Sequence, residues 1–256
     1  MAKPKKINRI FLRFKENNTH MKKSLRIFKI FLFLLMMMTT QDLLAQLKGA
    51  WHLKDGDTNH LLLIEHNFIF HTIYKDNEFI NLHGGTFERT EKELVINMLV
   101  HNLNADAVGK KTHLPYTFLN DELTLMPGNK ILKFKRVDSG NAPLAGVWRI
   151  TSRMQADGKV VPIHQTGTRV TYKILTSSKF QWLAIDPAVK LFNGTGGGSY
   201  TFKDGKYVET IEFFSRDNNR VGASLSFDGK LENGDWHHSG LSSKGEKIYE
   251  IWSQVK

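Results

Sequence analysis

The 256-residue sequence predicts an all-β protein made of two diverged tandem copies behind an N-terminal leader. Three observations predict this. Beyond residue 45 the apolar residues alternate with polar ones at a period of two, with many aromatic and β-branched residues, which is a strand signal. Turn residues recur at short intervals: "DGK" at Asp157, Asp204 and Asp228, "NGD" at Asn233 and "PGN" at Pro127. Many short strands with frequent turns indicate a sandwich or a barrel. Finally, three segments recur in the same order in the two halves, the sign of a duplication.

The leader comes first. From Met21 the chain reads "MKKSLRIFKIFLFLLMMMTTQDLLAQ", with Lys22, Lys23, Arg26 and Lys29 ahead of the apolar run Ile30 to Met38 and a small residue at Ala45. This is a charged n-region, a short h-region and a cleavage point between Ala45 and Gln46. The run is too short for the ~20 residues of a spanning helix, so export and removal are expected, without a stable membrane span. Leu43 at the −3 position is less usual than Ala, which leaves a retained signal anchor as the alternative. Residues 1–20 have no evident role in front of this signal, which makes Met21 the better start. Residues 1–45 hold ten Lys/Arg and two Asp/Glu, so the formal charge of +11 falls to +3 without them. No cluster of Lys and Arg remains to mark a nucleic-acid surface. The absence of cysteine excludes disulfides, thiolate metal sites and a cysteine nucleophile.

The first half, residues 46–138, opens with "LKGAWHL" at Leu47. The second, residues 144–256, opens with "LAGVWRI" at Leu144. The run from Asn67, containing "HGGTF", matches the run from Lys179, containing "GGGSY", so that Gly84, Gly85 and Phe87 fall on Gly197, Gly198 and Tyr200. "KILKFKRV" from Lys130 matches "KIYEIWSQV" from Lys247. Between the halves "DSGNAP" supplies turn and breaker residues, with residues 139–143 as the linker. Helix is expected only as a short piece around Leu103 to Val108.

"GTGGGSYTFKDGKYVETIEFF", from Gly194, begins like a phosphate-cradling loop. A dinucleotide fingerprint needs G-x-G-x-x-G at a strand-to-helix turn. Here Ser199 takes the last glycine's place and a hairpin follows, turning at Asp204 and Gly205. Glycine inside a strand pattern marks a bulge, a corner or a close backbone approach, so the stretch is expected to be a glycine-bent strand entry.

The L-x-G-x-W opening of each half, the later G-G-[ST]-aromatic hairpin and the apolar closing strand resemble lipocalin-like, or calycin-type, small β-barrels. The second half is similar to exported lipocalin-like domains of unknown function from Bacteroidetes, on "GGGSYTFKDGKYVETIEFFS" and "GDWHHSG". The resemblance implies two tandem small antiparallel β-barrels after a cleaved signal peptide, with Trp51 and Trp148 closing one end of each. It also implies a basic residue over each Trp: Arg136 for the first, with only Lys256 on offer for the second. A barrel of about eight strands is either filled by side chains or holds one small ligand.

In the second half Trp182, Tyr200, Tyr207 and Trp236 are candidates for a cavity wall. Tyr207, Glu209, Ile211 and Phe213 share one strand face by period. A carboxylate among apolar neighbours is costly unless paired or protonated, so Glu209 is a ligand contact or the partner of a base if that face points inward; otherwise Glu212 and Phe214 take the inner face. His237 and His238 face opposite sides, and one of them, His238, is the candidate opposite a carboxylate. His60, His66, His71 and His83 are scattered, without metal-ligand spacing. "DGKLENGD", from Asp228, reads as a solvated hairpin turn. Asn193-Gly194-Thr195 matches a glycosylation acceptor. No nucleophile elbow, metal site or cofactor motif is present.

The functional expectation is an exported binding protein for a small hydrophobic or amphipathic molecule, periplasmic or extracellular. Its ligand contacts would be Trp182, Tyr200, Tyr207, Glu209, Phe213, Trp236 and His238, with the first half supportive. The alternatives are a small-barrel isomerase or cyclase using Glu209 and His238, and a structural envelope or interaction protein with filled barrels.

Overall fold

The computed structural model describes residues 46–163, 166–242 and 245–255; the expected leader and Lys256 lie outside them. Leu47–Lys256 forms one compact unit. Its first half is eight strands, β1 Gly49–Asp55, β2 Thr58–Glu65, β3 Phe68–Lys75, β4 Glu78–Arg89, β5 Glu93–His101, β6 Lys111–Leu119, β7 Glu122–Leu125 and β8 Leu132–Asp138. Each pairs antiparallel with the next, and β8 returns to β1, closing a barrel. The second half has β9 Gly146–Met154, β10 Val160–Pro162, β11 Val170–Leu175, β12 Lys179–Asp186, β13 Leu191–Lys203, β14 Lys206–Phe214, β15 Ser224–Glu232, β16 Asp235–Leu241 and β17 Lys247–Gln254. Pairing of β17 with β9 closes a second eight-stranded barrel, while β10 hangs on β9 outside the ring. The sandwich alternative is therefore replaced by two closed antiparallel barrels. Among the described residues no helix is long and apolar enough to cross a membrane.

The L-x-G-x-W motif has the same geometry in both copies. The indole N–H of Trp51 donates to the Leu47 carbonyl and that of Trp148 to the Leu144 carbonyl, both at 2.9 Å. The glycine between them is at φ +116° in Gly49 and +148° in Gly146, and a Cβ on Gly49 would lie 2.0 Å from the Asp138 carbonyl oxygen. Arg136 does lie over Trp51, its Cζ 4.0 Å from the ring centre. In the second barrel the ladder residue opposite Trp148 is Gln254.

The glycine-rich stretch is strand. It sits within β13, paired to β12 on one side and β14 on the other, and Asp204 and Gly205 form the turn with φ of +52° and +74°. That is the left-handed pair of a type I′ hairpin. Both barrels carry a bulge at the matched glycines, between Gly84 and Gly85 and between Gly197 and Gly198. On the facing strands Leu99 and Glu212 are the extra residues. A one-residue slip moves every later side chain to the other face, so Met98 points into its barrel and Val100 out, and Ile211 points in and Phe213 out. The face expected to hold Tyr207, Glu209, Ile211 and Phe213 together is broken there for this reason.

The short helical piece is the single 3-10 turn Ala105–Ala107, and its counterpart Asn218–Arg220 follows β14. One turn expectation is corrected. Asp228, Gly229 and Lys230 lie inside β15, and the chain reverses at Asn233 and Gly234. Gly229 is in the strand because Phe202 and the Trp236 indole occupy the space a side chain would need, 2.9 and 3.3 Å from a Cβ there.

The outer faces of the two barrels share one apolar core. Leu61, Leu63, Phe68, Phe70 and Tyr74 of the first meet Val147, Ile174, Leu183, Ile185 and Phe213 of the second. Polar groups cross the same seam. Gln181 donates to Thr72 Oγ1 at 2.8 Å, and Tyr74 donates to Glu212, which also pairs with Lys179.

Candidate functional site

Ladder register aligns the two barrels residue by residue. Phe70 opposite Gly84 corresponds to Gln181 opposite Gly197, Phe87 opposite Ile96 to Tyr200 opposite Glu209, and Leu125 opposite Leu132 to His238 opposite Glu250. In the first barrel Leu62, Leu94, Ile96, Leu125 and Leu132 belong to a packed apolar interior with Trp51, Phe87 and Phe134. The matching places in the second barrel hold Lys173, Tyr207, Glu209, His238 and Glu250. Five positions that are apolar in the first barrel are ionisable in the second.

These groups bind one another. Lys173 Nζ lies 3.1 Å from Glu209 Oε2, which also accepts the Tyr207 hydroxyl at 3.0 Å. Lys173 is 4% exposed and its ammonium stands 4.7 Å from the Tyr207 ring centre and 5.1 Å from that of Trp236. Burial, and then the neighbouring Glu209 carboxylate, hold the Tyr207 hydroxyl well above its ordinary pKa. His238 Nδ1 is 3.4 Å from Glu250 Oε2, which accepts the Trp252 indole N–H at 3.0 Å. Burial lowers the His238 pKa. Burial alone would raise Glu250, but His238, Lys173 and Trp252 outweigh it and its pKa is lowered.

Above this layer the second barrel is hollow. A cavity of about 450 Å³ is walled by Ile150, Phe180, Trp182, Phe214, Phe227 and Trp252, with Lys173, Glu209, His238 and Glu250 at its polar end. That is within the size range of small-molecule sites, as is the pattern of apolar walls with a few convergent polar groups. In the first barrel a pocket of about 90 Å³ lies between Leu62, His71, His83, Ile96, Leu125 and Leu132.

Of the residues expected at a site, Trp182, Glu209 and His238 line the cavity. Tyr200, Tyr207 and Trp236 lie in the packed layer below it with Trp148 and Trp252; the Tyr200 hydroxyl donates to the Thr176 carbonyl at 2.6 Å. Phe213 faces the first barrel, and Phe214 takes the cavity side, stacked edge-on to Trp182 at 5.5 Å. Glu209 therefore points inward and Glu212 outward. Lys173 and Glu250 join the site without having been expected there. The signal for Lys173 is a lone cation in the strand text "VTYKIL", for Glu250 a carboxylate alternating with Ile248 and Trp252.

The scattered histidines also meet. His71, His83 and His101 face one another across β3, β4 and β5, and His60 stands beside them on β2. His60 Nδ1 is 2.9 Å from His71 Nε2, and His71 Nδ1 is 3.3 Å from His83 Nε2. By register they occupy the places of Thr171, Trp182, Gly196 and Phe214, of which Thr171, Trp182 and Phe214 line the second cavity, while His71 and His83 line the small pocket of the first barrel. Burial depresses all four, His83 to about 4 and His71 well below its ordinary value. His66 lies apart in the β2–β3 turn. Among the described residues no group of three His, Asp or Glu has metal-holding geometry.

No protein-family model and no curated protein matches the chain. Among solved structures, the Helicobacter pylori beta clamp bound to a DNA ligase peptide is 7% identical over 81% of this chain and 58% of that one, at a TM-score of 0.17. The same clamp with 5-chloroisatin is 7% identical over 81% and 91%, at a TM-score of 0.15. The chain thus spans a little over half of the first of these, and similarity at this level carries no argument about fold or function.

Proposed function

We propose that this chain is an exported, lipocalin-like binding protein that holds one small hydrophobic or amphipathic molecule in the second barrel. The first barrel, residues 46–138, is its support. The observation that carries the reading is the contrast at matched ladder positions: Leu62, Ile96, Leu125 and Leu132 fill one barrel, while Lys173, Glu209, His238 and Glu250 open onto a cavity in the other. Buried ionisable groups often cost stability compared with apolar side chains of similar volume, so their presence at these positions points to a role other than folding. The +3 charge without residues 1–45 argues against nucleic acid as partner.

The catalytic alternative has one observation in its favour, that Glu209 and His238 line the same cavity. Against it, Glu209 Oε2 is engaged by both Lys173 and Tyr207, which leaves it poorly placed to take a proton from a ligand. The test is native mass spectrometry of the protein purified from its own source, set against its denatured mass. Extra mass lost on denaturation is expected; a bare protein under gentle desalting, unable to take up any added amphiphile, would overturn the reading.

A further inference from the structure

The second barrel carries an extension between its first two ring strands that the first barrel lacks. In the first, β1 and β2 are joined by Gly56 and Asp57 alone; in the second, β9 runs on to Met154 and residues 155–169, including β10, precede β11. This extension carries Arg153, and Arg169 is its last residue. Both side chains line the 450 Å³ cavity, and both also line an adjoining rim pocket of about 500 Å³ with Arg149, Thr166, Gly167 and Thr171. They therefore stand where the cavity meets solvent.

The charges around the cavity do not balance. Arg153, Arg169, Lys173 and Arg216 face it, against Glu209 and Glu250. Glu209 is held by Lys173, and Glu250 by His238 and Trp252. Arg216 is fixed by two hydrogen bonds, 2.9 and 2.7 Å, to the Asn193 carbonyl. Arg153 lies opposite Glu250 in the ladder but forms no ion pair with it, and among the described residues neither Arg153 nor Arg169 has an ion-pair partner. Two planar cations, Arg153 near the end of β9 and Arg169 just ahead of β11, at the mouth of an apolar chamber match an oxyanion that each can bind with two parallel hydrogen bonds.

We infer that the ligand of the second barrel carries an anionic group, a carboxylate, sulfonate or phosphate, held by Arg153 and Arg169 at the rim while its apolar body lies against Phe180, Trp182 and Phe214. The inference rests on the binding reading above and names the class of molecule. It also accounts for the extension, which supplies the rim that the shorter β1–β2 turn of the first barrel lacks.

The experiment compares two fluorescent probes that differ by one sulfonate group, 1-anilinonaphthalene-8-sulfonate and neutral N-phenyl-1-naphthylamine, titrated into the full-length protein. The sulfonate is expected to bind one-to-one and at least about tenfold more tightly, in line with two charge-assisted hydrogen bonds. R153Q/R169Q, at exposed positions, should remove that advantage and leave the neutral probe unchanged. Ala184→Phe, which fills the chamber, should weaken both. Equal affinity for the two probes, or a sulfonate affinity untouched by R153Q/R169Q, overturns the anionic assignment while the binding reading stands. Failure of both probes to bind, or binding indifferent to Ala184→Phe, overturns both.

Discussion

Lys173 Nζ and Glu209 Oε2 sit 3.1 Å apart inside the second barrel, at the two ladder positions that Leu62 and Ile96 hold in the first. One scaffold thus shows both solutions for the same interior. Removing one partner leaves a buried charge unpaired, which costs about 3–5 kcal/mol, whereas replacing the whole polar set with apolar groups is often neutral or stabilising. Lys173→Leu is expected to destabilise by about that much in urea unfolding. The triple change Lys173→Leu, Glu209→Ile and Tyr207→Phe should recover most of the loss. A triple variant as unstable as the single one would mean that the pair holds the barrel together.

The bulge makes a second prediction. At Gly198 a Cβ would lie 2.0 Å from the Thr210 carbonyl oxygen, and at Gly85 one would lie 2.0 Å from that of Asn97. Both obstacles are backbone of the neighbouring strand, which cannot turn aside as a side chain can. Gly198→Ala should therefore force the bulge out of register and expose Phe213 or Phe214, depending on which face slips. The outcome expected is loss of folded protein or destabilisation by more than about 3 kcal/mol. Gly158→Ala is the control for the composition change, since its Cβ meets nothing within 4 Å, although its φ of +81° imposes a small strain.

Asp138 ties the barrels together at the junction. Its carboxylate accepts from Thr176 Oγ1 at 2.8 Å, from Ser178 N and Oγ at 3.0 and 2.7 Å, from Ser177 N at 3.1 Å and from Gly140 N at 2.9 Å. Burial by itself raises its pKa, but these hydrogen bonds outweigh burial and lower it. Asp138→Ala strands several donors at once, each costing about 1–3 kcal/mol when left buried and unmatched. A loss of roughly 2–4 kcal/mol is expected, with earlier proteolysis of the linker, residues 139–143. Because the folded pKa lies below the unfolded one, this contribution is complete above the ordinary value of 3.8 and is lost as pH falls through the lower folded value. An unchanged midpoint at pH 7 would refute the clamp.

Much of this architecture is legible in the sequence because strand period, turn chemistry and duplication are local signals. The paired Trp motifs, the Asp204–Gly205 turn and the glycine bulges all follow from text a few residues long. What stays hidden depends on register. Phe213 and Phe214 exchange faces because Glu212 is the extra residue of a bulge, and no period-two count reveals which residue that is. His71, His83 and His101 are far apart in the text and opposite one another only once β3, β4 and β5 are paired. Lys173 shows in the text only as a lone cation in a strand; its partner stays hidden because Glu209 lies 36 residues away on a strand that is not its neighbour.

Within the first barrel, two kinds of buried group should respond to pH with opposite signs. His83 has its pKa depressed to about 4 from 6.5 by burial, then by His101 and His60. Between those values the unfolded chain binds the proton and the folded one does not, so stability falls as pH drops from about 6.5 to about 4, by on the order of 3 kcal/mol from this residue. His60, His71 and His101 are lowered too and act in the same direction. Glu65 does the reverse. It is fully buried at the end of β2, with Lys48 at 3.4 Å and no hydrogen bond to either oxygen among the described residues, and burial raises its pKa from 4.5 to about 8. Between pH 4.5 and 8 the folded state holds that proton and the unfolded one does not, so stability falls as pH rises. Together these groups place maximum stability on the acid side of neutrality. Glu65→Gln should raise the urea midpoint at pH 8 with little effect at pH 4.5, and His83→Leu should raise it at pH 4.5 with little effect at pH 8. Midpoints measured across pH 4 to 9 for the two variants check this, and a variant that shifts both ends equally would show that its residue acts through packing instead of ionisation.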